Sequence, residues 1–103
     1  MRRGEIRWYK FRPPDKKRPG LMPTRNSILE YLGEVTVAPT TSTIRDIPSE
    51  VTLSKNGGIS KDCAINCDHL QTVSKGKIGA LITTLSSDKM KQVRAAIQFA
   101  LNL

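Results

Sequence analysis

Apolar and polar positions alternate over Ile6-Arg7-Trp8-Tyr9-Lys10-Phe11, with Ile6 and Trp8 on one side and Arg7, Tyr9 and Phe11 on the other. The aromatic and β-branched content predicts a strand, with Trp8 in the core. Arg12-Pro13-Pro14-Asp15-Lys16-Lys17-Arg18-Pro19 holds prolines and a charge run, which predict an exposed, stiff loop. Gly20 to Thr24 reads as a weak strand, because Gly20 and Pro23 both lower the propensity. Ser27 to Leu32 has helical spacing and stops at Gly33. Glu34-Val35-Thr36-Val37-Ala38-Pro39 is the strongest strand signal, a central strand that Pro39 ends, and Thr40-Thr41-Ser42-Thr43 follow it.

Ile47-Pro48-Ser49 predicts a turn, Glu50-Val51-Thr52-Leu53 a half-buried strand, and Asn56-Gly57-Gly58 a tight turn. Cys63 to Cys67 reads as a buried strand continuing into Asp68-His69-Leu70-Gln71-Thr72-Val73, and Ser74 to Lys77 as a turn. Ile78 to Leu85 is extended. Ser86 to Leu103 is a helix, since Met90, Val93, Ile97 and Leu101 recur at steps of three and four beside Ala96 and Ala100. Ser86 can cap it, Asp88 suits its positive end, and Leu85 and Met90 are placed to form a hydrophobic staple. Short strands joined by turns and closed by one long helix predict an α+β domain, a partly open β-barrel spanning 1–103 as a single domain.

Charge changes this picture. The chain of 103 residues carries +8, and residues 1–25 hold nine basic side chains against two acidic ones. A field gathered in one segment attracts polyanions, either nucleic acid or an acidic protein tail. Apolar runs are too short to span a bilayer and no signal peptide opens the chain, so a cytoplasmic protein without a membrane partner is expected. Cys63 and Cys67 are four apart, which is not the spacing of a zinc or redox pair. They could be grouped with Asp68 and His69 as metal ligands, but two small buried thiols in a reducing compartment is the favoured reading. No cofactor is expected, because glycine-rich nucleotide loops, nucleophile elbows and metal-binding helices are all missing.

Three polar clusters remain. They are Lys16-Lys17-Arg18, Thr40-Thr41-Ser42, and the group Asn66, Asp68, His69 and Gln71. At strand ends of so small a domain they can converge on one concave face. Together they supply what RNA cleavage needs when the adjacent 2′-OH is the nucleophile. Arg matches phosphate oxygens, Thr donates a hydrogen bond to them, and Asp or His moves protons.

Arg3-Gly4-Glu5-Ile6-Arg7-Trp8, Arg18-Pro19, Ala38-Pro39-Thr40-Thr41-Ser42, Ile47-Pro48-Ser49-Glu50-Val51 and Cys67-Asp68-His69-Leu70-Gln71-Thr72-Val73 occur in the order and spacing of one family. In these segments the chain resembles the MazF/PemK (Kid) toxins. The resemblance implies an SH3-like barrel, a homodimer, and a bacterial toxin of a type II toxin–antitoxin system. It implies metal-independent cutting of single-stranded mRNA at short sequences, leaving a 2′,3′-cyclic phosphate and a 5′-OH. The cognate antitoxin would lay an acidic tail in the RNA groove, and contact with DNA would come only indirectly, through that antitoxin.

By the same resemblance the catalytic Arg falls on Arg18 and the catalytic Thr on Thr41, and an Asp used by one branch falls on Asp68. Lys16, Lys17, Thr40, Ser42, Asn66, His69 and Gln71 are then the expected RNA-binding residues. The chain departs from the family pattern at several points. Its first loop is short and lacks the G-S-E-Q stretch. His69 and Gln71 stand where Gln and Arg are usual, Asn66 where one branch has Arg, and Gly20 where an apolar residue follows R-P. Two other readings stay open, a non-catalytic RNA-binding barrel and a CcdB-like gyrase inhibitor. The second is weaker because the chain ends Ala100-Leu101-Asn102-Leu103, without that relative's tryptophan-containing end.

Overall fold

The structure is a computed structural model that describes residues 1–10, 17–55 and 59–103. Its strands are β1 (Glu5–Lys10), β2 (Lys17–Leu21), β3 (Glu34–Thr41), β4 (Glu50–Leu53), β5 (Cys63–Asn66), β6 (Gln71–Ser74) and β7 (Ile78–Thr84). One turn of helix, α1 (Asn26–Leu29), follows β2, and a long helix, α2 (Ser87–Leu101), follows β7. Single 3-10 turns occupy Cys67–His69 and Lys75–Lys77.

All strand pairs are antiparallel, in the order β4-β5-β3-β2-β1-β7. β3 organises the sheet because it has two partners on one edge. Glu34–Val37 pair with β6, while Thr40 and Thr41 pair with β5. Ala38 and Pro39 lie at the handover, where a proline is tolerated in an interior strand for want of a continuous ladder on that side. The result is the expected fold class, a curled, partly open seven-stranded sheet with one C-terminal helix.

The curl follows from apolar residues on both faces of the same strands. Ile6, Leu21, Ala38, Val51, Ile65 and Cys67 pack on the side of α2 with Val93 and Ala96. Tyr9, Met22, Leu29, Val35 and Val37 form a second cluster on the opposite face. Adjacent residues of a strand point to opposite faces, so Leu21 and Met22 enter different cores.

Helix α2 is set as its sequence predicts. Ser86 Oγ accepts the Lys89 N–H at 3.1 Å. The helix ends at Asn102, which takes the left-handed conformation with φ 56°. Lys89 Nζ reaches the Thr52 carbonyl at 2.9 Å and ties the helix to β4. Leu101 is exposed, so the buried stripe runs through Val93 and Ala96, with Met90, Ile97 and Ala100 half-buried beside it.

Several sequence expectations need correction. β2 starts at Lys17, so Lys17, Arg18 and Pro19 are strand residues rather than loop, and the strand ends at Leu21 rather than Thr24. β3 does not stop at Pro39 but carries Thr40 and Thr41. Trp8 is not a core residue. Tyr9 is buried and Trp8 is 39% exposed, because β1 feeds one core at Ile6 and the other at Tyr9. The expected loop at Arg12–Lys16, with the RNA-binding candidate Lys16, and the Asn56-Gly57-Gly58 turn lie outside the described residues.

Candidate active site

The site forms where β2 and β3 part. Their ladder is Leu21 with Ala38 and Gly20 with Pro39. Two residues beyond the last pair on each strand, Arg18 and Thr41 have the facing of Gly20 and Pro39, and both line one cavity. Between them Pro19 has no N–H to give. Thr40 Oγ donates instead to the Pro19 carbonyl at 2.9 Å, which splints the strands where the ladder stops. Thr40 is buried and its proton is committed, so its part in the site is to hold the two strands at their parting.

A cavity of about 290 Å³ opens at this point. Lys17, Arg18, Thr40, Thr41 and Ser42 contribute to its wall. Ser60, Lys61 and Cys63 come from the β5 side, and Trp8, Ile59 and Ile82 supply apolar surface. No acidic side chain is among the described residues that line it. Trp8, Ser60 and Lys61 were missed in the sequence. Trp8 reads as core from its hydrophobicity, and Ser60 and Lys61 carry no motif.

Arg18 is exposed and its support comes from underneath. Tyr9 is its partner in the β1–β2 register and is 1% exposed. Burial pushes the Tyr9 phenol well above its ordinary value, while the nearby Arg18 guanidinium works against that rise. The ring lies against Gly20, where an added Cβ would come within 2.5 Å of both Tyr9 Cε1 and Val37 Cγ1. Gly20, the departure from the family's apolar residue, therefore makes room for a buried tyrosine beside the arginine. Thr41 Oγ accepts the Thr43 N–H at 3.1 Å. That contact uses a lone pair and keeps the hydroxyl proton for a ligand.

The third cluster is organised differently. Continuing from the Thr41–Ala64 pair, Asn66 falls on the same sheet face as Thr41, and Gln71 does so through its pairing with Val37. Yet the side chains serve one another. Asn66 is buried, and its Oδ1 accepts the Asp68 N–H at 3.0 Å, capping the 3-10 turn. That contact fixes the amide, so Nδ2 faces His69 Nδ1 at 3.3 Å. Asp68 Oδ2 accepts from the buried Ser49 hydroxyl at 2.5 Å. Asn66, Asp68, His69 and Gln71 are not among the described residues lining the cleft.

Cys63 and Cys67 are buried in the helix-side core. Burial raises both thiols, that of Cys67 to about 11 with Asp68 adding to the rise. Neither is a thiolate nucleophile near neutral pH. Among the described residues, no three His, Cys, Asp or Glu side chains are grouped to hold a metal ion. Among them, too, no helix is long and apolar enough to cross a membrane.

The molecule is thus a half-barrel closed by one helix, with an arginine and a threonine lining one basic cleft. The chain matches the family model described as PemK-like, MazF-like toxin of type II toxin–antitoxin system over residues 2–101, and it belongs to that family. It is 34% identical over 89 residues to "Endoribonuclease MazF3" of Mycobacterium tuberculosis, covering 86% of each chain. It is 32% identical over 93 residues to "Probable endoribonuclease MazF2" of the same organism, covering 89% of each. Among solved structures it resembles the Mycobacterium tuberculosis toxin MazF-mt6 with a TM-score of 0.88 and 31% identity, over 96% of this chain and 97% of that one.

Proposed function

We propose that this type II toxin, an endoribonuclease by family, cuts single-stranded mRNA at short sequences without a metal, with Arg18 and Thr41 at the scissile phosphate. The observation that carries the reading is that Arg18 of β2 and Thr41 of β3 line one cleft, whose described lining also holds Lys17 and Lys61 and no carboxylate. The 2′-oxygen loses its proton and attacks phosphorus, the bond to the 5′-oxygen breaks, and that oxygen takes a proton from water, so the ends are a 2′,3′-cyclic phosphate and a 5′-OH. Arg18 clamps the phosphate oxygens, on which negative charge builds in the transition state. Thr41 donates its hydroxyl proton to one of them.

Asp68 is the proposed acceptor of the 2′-OH proton. Ser49 holds one oxygen of its exposed carboxylate, and the other is left for that task. Lys16, Lys17 and Ser42 would hold the RNA backbone. Asn66, His69 and Gln71 would touch RNA from the same sheet face, with Thr40 as their support between the strands. The toxin would act in the bacterial cytoplasm as a homodimer. Phe99, Leu101 and Leu103 leave an apolar surface at the end of the chain that a second copy would cover. An antitoxin with an acidic tail would silence the enzyme by occupying the basic cleft.

The test is an end-labelled, unstructured RNA incubated with the protein in EDTA, beside Arg18→Ala. Cuts at a few sites ending in cyclic phosphate, and reduced at least about 10³-fold in the variant, are expected. Intact RNA that the wild type still binds would replace this reading with the non-catalytic barrel.

A further inference from the structure

A second depression adjoins the cleft and shares Trp8 and Lys17 with it. Lys10, Lys77 and Gly79 also line it. Across the two depressions the described lining holds five basic side chains, Lys10, Lys17, Arg18, Lys61 and Lys77, and no acidic one. Among the described residues, the lining of both depressions is therefore positive rather than mixed.

Trp8 stands at the junction, and the backbone explains why it faces outward. The β1–β7 ladder slips register on both sides of Arg7, between Ile6 and Arg7 and again between Arg7 and Tyr9. Such irregularities re-aim side chains. Opposite, an added Cβ at Gly79 would lie 3.3 Å from the Trp8 carbonyl oxygen, so β7 runs close beneath β1 with no side chain between them. Lys77 belongs to a fixed turn, because the neighbouring Lys75 ammonium donates to the Leu29 carbonyl and Ser74 Oγ accepts the Gly76 N–H at 3.4 Å. An exposed indole flanked by cations is the pattern that grips single strands, in which bases stack on the aromatic ring and phosphates pair with the cations.

Building on the proposed ribonuclease activity, we infer that single-stranded RNA continues from the cleft into this second depression, one base stacked on Trp8 and its flanking phosphates on Lys10 and Lys77. This accessory subsite would make grip depend on RNA length.

Trp8 is the only tryptophan in the chain, so its fluorescence reads the contact directly. The probes are a 2′-O-methyl RNA oligomer, which cannot be cut, an abasic ribose-phosphate chain of equal length, and polyglutamate. Quenching by the oligomer at least about twofold stronger than by the abasic chain is expected. Binding should be weakened by Trp8→Ala and largely kept by Trp8→Phe. The double variant Lys10→Ala with Lys77→Ala should lower the log–log salt slope of binding by about 1.4, which is two phosphate contacts on a single strand. Its loss in kcat/KM should grow as the RNA is lengthened beyond the shortest cleavable oligomer. Equal quenching by the abasic chain, an unchanged salt slope, or quenching by polyglutamate alone would overturn the inference. Binding is read without cutting, so the two proposals fail separately. A wild type that cuts RNA without base-dependent quenching loses the subsite, and one that is quenched by bases but never cuts loses the ribonuclease reading.

Discussion

The cleft at Arg18 and the turn at Cys67–His69 are both polar and both lie at strand ends, yet they treat their polar groups in opposite ways. In the turn, Asn66 caps Asp68 and faces His69, and Ser49 binds Asp68. In the cleft, Thr40 donates to the Pro19 carbonyl, while Lys17, Arg18 and Ser42 are exposed and Thr41, which accepts the Thr43 N–H, keeps a proton to give. A group already paired within the fold contributes chiefly to stability. A charged group held in the open by its backbone is poised for a ligand. Substitutions on the two sides should therefore separate, with rate lost in the cleft and stability in the turn, Asp68 excepted because one of its carboxylate oxygens is left for the proton.

The largest separation is expected at Thr41. Thr41→Val keeps the β-branched shape in β3 and removes the donor. It should lower kcat by about 10²-fold, or about 2.7 kcal/mol of transition-state stabilisation, with the melting temperature within a few degrees of wild type. Thr41→Ser should restore most of the rate. Next is Gly20→Ala, whose methyl collides with Tyr9 and Val37. A destabilisation of about 2 kcal/mol is expected by denaturant titration, and cleavage should fall as well, because the displaced ring is the support beside Arg18. A Gly20→Ala protein of normal stability would mean that the Tyr9 ring can move away without cost.

The difference between the two regions also tells what the sequence made legible. Strands β3 and β4 and helix α2 were readable because apolar periodicity, β-branched residues and the Ser86 cap all agree. β2 was misread because Pro19 and Gly20 depress strand propensity. Here tertiary pairing overrides propensity, since Pro19 sits where the ladder to β3 has already ended and Gly20 sits where a ring needs room. Trp8 was misread because alternation assigns one buried face per strand, whereas β1 buries Ile6 on one face and Tyr9 on the other. The pairing of Arg18 with Thr41 came from a resemblance in short motifs. Local pattern alone shows only a basic stretch and a hydroxyl stretch. That Asn66, Asp68 and His69 satisfy one another was hidden because a side-chain network leaves no periodic trace.

A smaller effect sharpens the division inside the turn itself. Asp68→Asn removes the proposed proton acceptor and should slow cleavage by about tenfold or more. Ser49→Ala removes only the tether and should cost about 1 kcal/mol of stability, with a rate change of less than tenfold. If the two variants match in both rate and stability, Asp68 is a structural carboxylate and the cleft acts without it.

The smallest effect is expected at Glu5, a carboxylate committed to the fold beside the site rather than in it. Glu5 accepts the Arg2 N–H at 2.8 Å and the Arg7 Nε–H at 2.9 Å, and Arg7 also reaches the Gly79 carbonyl at 3.0 Å. Burial disfavours its charged form, but the Arg7 guanidinium and the Arg2 N–H outweigh that, and the carboxyl sits below its ordinary 4.5. A carboxyl whose value falls on folding stabilises the native state above its unfolded value, and that contribution is lost as pH drops through the lower folded value. Glu5→Gln should therefore cost about 1 kcal/mol at neutral pH, and the gap to wild type should close as both are titrated into acid. Cleavage per folded molecule should not change. If Glu5→Gln instead lowers kcat at full stability, the division between paired scaffold carboxylates and an open catalytic cleft does not hold on this side of the sheet, and the Arg7–Gly79 contact must be counted among the supports of the RNA track.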